Sequence, residues 1–383
     1  MNNYDVVIVG AGIMGSAAAY YLSKAGQKVL LLEQYTLEHQ KGSSHDISRI
    51  TRYAYDHPAY VELAKVNFPL WAAFEEAAGE TFYTRTGGID FGRPEEPYLR
   101  DLQTTLTQTG IPFETLTPEE ATKRFPQFHI PDDMIVIYQA DSGVLAATPA
   151  VLAHVRLAQQ HGATVLAETP VMRIVPTGDG VTVHTPRENY AAARVIVSAG
   201  AWTAPLMAEL GLPLPLVPTR VQVAYFHTAS PADYVPECFP VFIAHVAGTF
   251  TEHAPYGLPD LDGSGLKIGI HGGEGVASAG EINYEPDERA VSQIGNFMQA
   301  FLPGAKAKLN KARVCVYTMT PDHHFIIDRH PQYPQIVVAS PCSGHGFKFG
   351  TLIGSILSDL ALNGTTEHDI SLFSLNRFPV LQS

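Results

Sequence analysis

Residues 4–33 read YDVVIVGAGIMGSAAAYYLSKAGQKVLLLE, and this stretch decides the fold. Val6 to Val9 is a short β-branched run, as in a buried parallel strand. Gly10, Gly12 and Gly15 follow in GxGxxG register. The first allows a tight turn, the second lets a pyrophosphate approach the backbone, and the third lets helix and strand pack closely. A helix from about Ile13 to Lys24 then points its free amides at that pyrophosphate, and Gly26 ends it. Glu33 closes the second strand, where a carboxylate accepts hydrogen bonds from a ribose. Strand, glycine turn, helix, strand and terminal acid together predict dinucleotide binding. Val6 to Leu22 carries no charge, but it is short for a membrane span and holds three turn-spaced glycines. No basic leader precedes it, so a membrane segment is not expected.

The chain of 383 residues allows two domains. A net charge of −13 with no basic run argues against a nucleic-acid partner. Cys238, Cys315 and Cys342 are too few and too scattered for a disulfide framework or a zinc site, and suit a reducing cytoplasm.

Beyond Glu33, the loop 40–52 (QKGSSHDISRITR) carries Arg49 and Arg52, three apart and adjacent if the segment turns helical. Arginine is the usual partner of a planar carboxylate. Pro58 to Glu80 reads as an amphipathic helix, Pro97–Gly110 and Thr117–Phe125 as two more, and Val136–Ala140 as a strand before a turn at Asp141–Gly143. An α/β rhythm resumes at Thr148, with a buried strand at Ala193–Ser198. From Leu214 to Val316 strand-like runs crowd together with one good helix, Asp287–Phe301, predicting a mixed, mainly antiparallel sheet. The chain then returns through Phe325–Asp328 and Gln335–Ala339 to a second glycine-rich turn, Ser343-Gly-His-Gly-Phe-Lys348, and a closing helix. That helix N-terminus would stabilise negative charge on a reduced flavin. A single fingerprint with discontinuous returns of the fold fits FAD as the only dinucleotide. The predicted class is α/β: a Rossmann-like FAD-binding domain (1–85, 146–213 and 319–383) and a mixed-sheet substrate domain (86–145 and 214–318).

The motifs GAGIMGSAAAYYLSKAG (10–26), GSSHDISRITR (42–52), YGLPDLDGSGLKIGIH (256–271), CVYTMTPDHHFIIDRHP (315–331), SGHGFKFG (343–350) and TEHDISLFSLNRF (366–378) run from end to end. On them the chain resembles the monomeric sarcosine oxidase and N-methyltryptophan oxidase family. The resemblance implies an oxidase of secondary amino acids that uses O2 and releases hydrogen peroxide, most simply from sarcosine. Alternatives are N-methyltryptophan, pipecolate, proline or a fructosyl amino acid as substrate, or a dehydrogenase with a carrier in place of oxygen. It implies a monomer and a FAD joined by a thioether to Cys315. Read alone, Cys315 in an apolar strand is a small core residue. The resemblance assigns Arg52 and Lys348 to the substrate carboxylate, Tyr256, His271 and Tyr317 to the pocket, and Lys267 to oxygen activation. Lys267 and His271 share one face of a strand. The resemblance also places Arg49, His45 and His345 near the flavin ring and Ser43, Ser44, Gly344 and Gly346 among the FAD-binding residues. His245 enters the pocket wall where the family pattern differs. The pattern also differs at the first arginine: the family reads SSHGDTRxxR where this chain reads SSHDISRITR, so the acid has moved to Asp46 and the hydrogen bonding to the ring changes with it. No metal-binding cluster is expected.

Overall fold

Val6 and Ile8 belong to one buried core and Val7 and Val9 to another. The strand Asn2–Val9 is therefore covered on both faces, which is why it is apolar without alternation. In the computed structural model, which describes residues 2–246, 248 and 253–378, this strand pairs in parallel with Val29–Leu32 and with Asn189–Val197. Thr164–Leu166 and Ile336–Ser340 extend the parallel set. Arg173–Thr177, Gly180–His184 and Ile326–Arg329 join it antiparallel. The helix Ile13–Lys24 lies on this sheet between the helices Ala147–Gln160 and Gly350–Asn363.

A nine-stranded sheet is built from residues between Gly88 and Met319. Among the described residues, only Val241–His245 with Gly88–Gly92 is parallel within it. Val217–His227 is flanked by Lys308–Met319 and Leu266–Ile270, both antiparallel. Register then sets the chemistry. Val221 pairs with Cys315, Thr219 with Tyr317, and Tyr225 with Lys267. Side chains two apart share a face, so Cys315 and Tyr317 point one way with Val221 and Tyr225. Val314 and Val316 point the other way. Behind the sheet, the helix Glu288–Phe301 and the rings of Phe91, Phe128, Phe239 and Phe242 form a separate core.

The helical reading of 49–52 is overturned. Ser48–Thr51 is a strand, paired with Gly143–Ala146 in a three-stranded sheet that Tyr83–Arg85 completes. Ile50 and Thr51 are β-branched, and an extended segment sends residues three apart to opposite sides. Arg49 and Arg52 thus reach different partners. The strand Gly143–Ala146 directly follows the turn at Asp141. No helix among the described residues is long and apolar enough to cross a membrane.

Candidate active site

One cavity of 1170 Å3 runs from the glycine turn to the second sheet. It exceeds the roughly 300–1,000 Å3 of an ordinary small-ligand site. At one end lie Val9 to Met14, Glu33 and Ser198 to Trp202. Gly10 has φ +98°, and a methyl group added at Gly15 would lie 1.9 Å from Gly10 O. Gly12 at the helix start has no side chain of its own to cap it, and Gly12, Ile13 and Met14 line the cavity. Ser44 Oγ accepts from Ile13 N at 3.0 Å. Glu33 receives Ala11 N at 2.9 Å and Tyr35 N at 3.0 Å, which ties the second strand to the glycine turn and leaves lone pairs for a ribose. His45 Nδ1 is buried in the cavity lining with no hydrogen-bond partner. A long polar ligand fits this end: amides at a helix terminus, an acid, and an orphaned ring nitrogen.

The middle of the cavity holds the loop 43–48, folded around Arg49. Its guanidinium donates to Ser43 O (2.9 Å), His45 O (2.6 Å) and Ser48 O (2.9 Å). Ser43 Oγ donates to Val316 O, joining the loop to the second sheet. Asp46 takes φ +117°, a region that costs a non-glycine residue about 1–3 kcal/mol. Its fully buried carboxylate accepts Lys267 Nζ and Tyr225 Oη, both at 2.5 Å, and Arg49 at 3.2 Å. Burial alone would raise the Asp46 carboxyl, but Lys267 and Arg49 outweigh it and hold it well below the carboxylate range. Lys267 is 2 % exposed and also donates to Ser48 O at 2.8 Å. Cys315 is buried here too, and burial pushes its thiol up against the opposing pull of Arg49.

At the other end stand Arg52, Lys348 and a ring of aromatic side chains. Arg52 Nη1 donates to both oxygens of Asp90, at 2.8 and 3.1 Å, and Nη2 to Tyr98 Oη at 3.0 Å. Asp90 Oδ1 also meets His245 Nε2 at 2.9 Å, and the His245 ring stacks on Tyr98. Lys348 Nζ donates to Tyr55 Oη and to His345 O, each at 2.8 Å. Burial and then Arg52 push this amine well below its ordinary value. The same forces, with Lys348, lower His271 to about 4, so that ring is neutral. Tyr256 hydrogen-bonds to Tyr317, whose hydroxyl burial raises to about 12. Gly344 has φ +80°, and a methyl group there would strike the Tyr317 and His271 rings. Lys348 is placed from below: Asn67 Nδ2 and Trp71 Nε1, both on the helix Pro58–Ala78, donate to its carbonyl at 2.7 Å. Trp71→Phe removes one of these donors. Urea unfolding is expected to show a loss of about 1–3 kcal/mol.

Every site residue named from the sequence lines this one cavity, Gly15 excepted. Gly15 acts beneath it, as a helix–strand contact. Asp90, Tyr98 and Tyr55 were not legible as site residues. The signal for Asp90 was a lone acid inside the buried strand Gly88–Gly92. For Tyr55 and Tyr98 there was none, because an aromatic residue reads the same in a core and in a pocket.

The family model described as FAD dependent oxidoreductase matches residues 5–360. The chain is 38 % identical to a monomeric sarcosine oxidase of Bacillus sp. (strain NS-129), covering 98 % of this chain and 97 % of that one. It is 34 % identical to an N-methyl-L-tryptophan oxidase of Citrobacter koseri (strain ATCC BAA-895 / CDC 4225-83 / SGSC4696), over 98 % and 99 %. The fold matches that of NikD, an unusual amino acid oxidase, with a TM-score of 0.87 over 98 % of both chains at 24 % identity. The fingerprint end of the cavity, the two sheets and these likenesses agree: this chain belongs to the FAD dependent oxidoreductase family.

Proposed function

We propose that this enzyme oxidises N-substituted amino acids, with sarcosine the first candidate and O2 the electron acceptor. The observation that carries the reading is a single cavity lined at once by Arg52, Lys348, Lys267 and Cys315. FAD supplies the redox chemistry when bound, taking a hydride equivalent from the carbon beside the amine. The glycine turn, Glu33, Ser43, Ser44 and His45 hold the dinucleotide. Cys315 is the thioether attachment point, since it is the buried thiol on the cavity face of its strand.

Arg52 and Lys348 pair with the substrate carboxylate. A buried carboxylate needs such partners, and Lys348 is short of an anion: it is pressed toward the neutral amine by burial and by Arg52. A bound carboxylate relieves that pressure. His271 stays uncharged and so does not repel a substrate ammonium, while offering one donor and one acceptor. Tyr256 and Tyr317 close the pocket and exclude water. Lys267 provides fixed positive charge where charge develops on oxygen. The residues 1–85, 146–213 and 319–383 form the FAD-binding part, the remainder the substrate part, and the enzyme works as a monomer.

A second reading concerns substrate size. The wall formed by His245 and Tyr98, backed by Asp90, is polar, which favours a bulkier or more polar N-substituted amino acid. An oxygen electrode with sarcosine, N-methylalanine, N-methyltryptophan, proline, pipecolate and a fructosyl amino acid separates the two readings. Silence on all six removes both. Acid precipitation tests the attachment: flavin is expected in the pellet for the native chain and in the supernatant for Cys315→Ala. Flavin in the native supernatant removes the thioether.

A further inference from the structure

We propose that Asp46 is the positioning residue for Lys267, keeping its ammonium charged and fixing its direction. This rests on the reading that Lys267 is the cation presented to oxygen.

Two of the three ammonium donors of Lys267 are used by the protein, one on Asp46 Oδ2 at 2.5 Å and one on Ser48 O at 2.8 Å. Both acceptors lie on one short loop, so the amine is anchored at two points. Lys267 lines the cavity, and one N–H remains for whatever occupies it. Asp46 is itself held against rotation. Tyr225 donates to its other oxygen at 2.5 Å, and Arg49 and Arg313 approach at 3.2 and 3.6 Å. The backbone is held in a strained conformation at φ +117°, where glycine would rest without cost. A strained, fully buried acid with three hydrogen-bond donors and a fourth cation nearby is a device, not a surface accident.

The surroundings of Lys267 show what the acid does. Asp46 comes from the loop, Arg49 from the strand Ser48–Thr51, and Cys315 and Arg313 from Lys308–Met319. Tyr225 pairs opposite it on Val217–His227. The Lys311 amine lies over that tyrosine ring at 4.8 Å and the Lys267 amine at 5.8 Å. Burial lowers the amine, Asp46 raises it, and Arg49 lowers it again. Asp46 is the one carboxylate in this set. Without it, burial and the arginine are opposed by the Ser48 carbonyl and by Cys315, which carries no charge once joined to FAD, and a buried amine gives up its proton instead of remaining an unpaired charge.

The test uses the FAD-loaded full chain with [ε-13C]lysine. Lys267→Met identifies the Lys267 resonance. Asp46→Asn removes the charge and keeps the size; Asp46→Gly removes it and relieves the backbone. In the native protein the resonance is expected at the ammonium position from pH 6 to 8. After photochemical reduction, which needs no substrate, reoxidation by O2 should vary less than twofold over that range. In both Asp46 variants the resonance should reach the free-amine position by pH 8, and reoxidation should fall at least tenfold from pH 6 to pH 8. A purely structural role for Asp46 would change thermal stability and leave both pH profiles flat. An ammonium signal at pH 8 in either variant overturns the proposal. Native-like reoxidation in Lys267→Met instead overturns the role given to the lysine, and the resonance still judges the hold of Asp46 on it.

Discussion

Lys267→Met is expected to leave the protein yellow and reducible by its substrate, and to slow reoxidation by air about a hundred- to a thousandfold, the effect of removing one preorganised stabilising group. The lysine is buried, so its charge is weakly screened, and electron transfer to O2 creates a negative charge that needs a partner. The variant should fold. Asp46 keeps Tyr225, Arg49 and Arg313 after the lysine is gone, so no carboxylate is orphaned. Methionine also fills much of the lysine stem's volume. Stopped-flow mixing of the anaerobically reduced protein with oxygenated buffer gives the rate directly. An unchanged rate would remove Lys267 from the oxygen half of the reaction and leave the amino acid half intact.

Arg52→Met should act on two properties at once. For substrate, kcat/KM is expected to fall about a hundred- to a thousandfold, the loss typical of one partner of a buried charged pair. For stability, the variant leaves Asp90 buried at 6 % side-chain exposure with only His245 beside it. An unpaired buried charge of this kind costs about 3–5 kcal/mol. Burial already acts to raise the Asp90 carboxyl, and Arg52 with His245 is what keeps it ionised. The double variant Arg52→Met/Asp90→Leu separates the effects. Urea unfolding should recover most of the lost stability, because both charges leave together, and kcat/KM should stay low. If the double variant instead regains turnover, Arg52 serves to neutralise Asp90, and Lys348 alone binds the carboxylate. The two substitutions share a contact, so their effects will not add.

The legible part of this molecule follows local rules. Residues 4–33 have only one arrangement that satisfies a β-branched run, a GxGxxG turn and an apolar helix, and the structure has it. The helices at Pro97–Thr109 and Pro118–Arg124 start at prolines, and the second begins with a Thr117/Glu120 capping box. Reading failed where local preference was weak. Arg49-Ile-Thr-Arg52 has a helix-like charge spacing, yet pairing with Gly143–Ala146 made it extended. That pairing joins residues almost a hundred positions apart, and no window on the chain contains both.

The sequence by itself determined the dinucleotide fold, the family and many of the charged and polar residues that face the cavity. Those properties rest on spacing along the chain, which the backbone converts into position within one or two turns. Only the tertiary structure decided what each charge is paired with. Arg52 meets Asp90, and Lys267 meets Asp46, across 38 and 221 residues of chain. Such partners are chosen by strand register and by the high free-energy cost of leaving a buried ion alone, and neither is written in any local stretch.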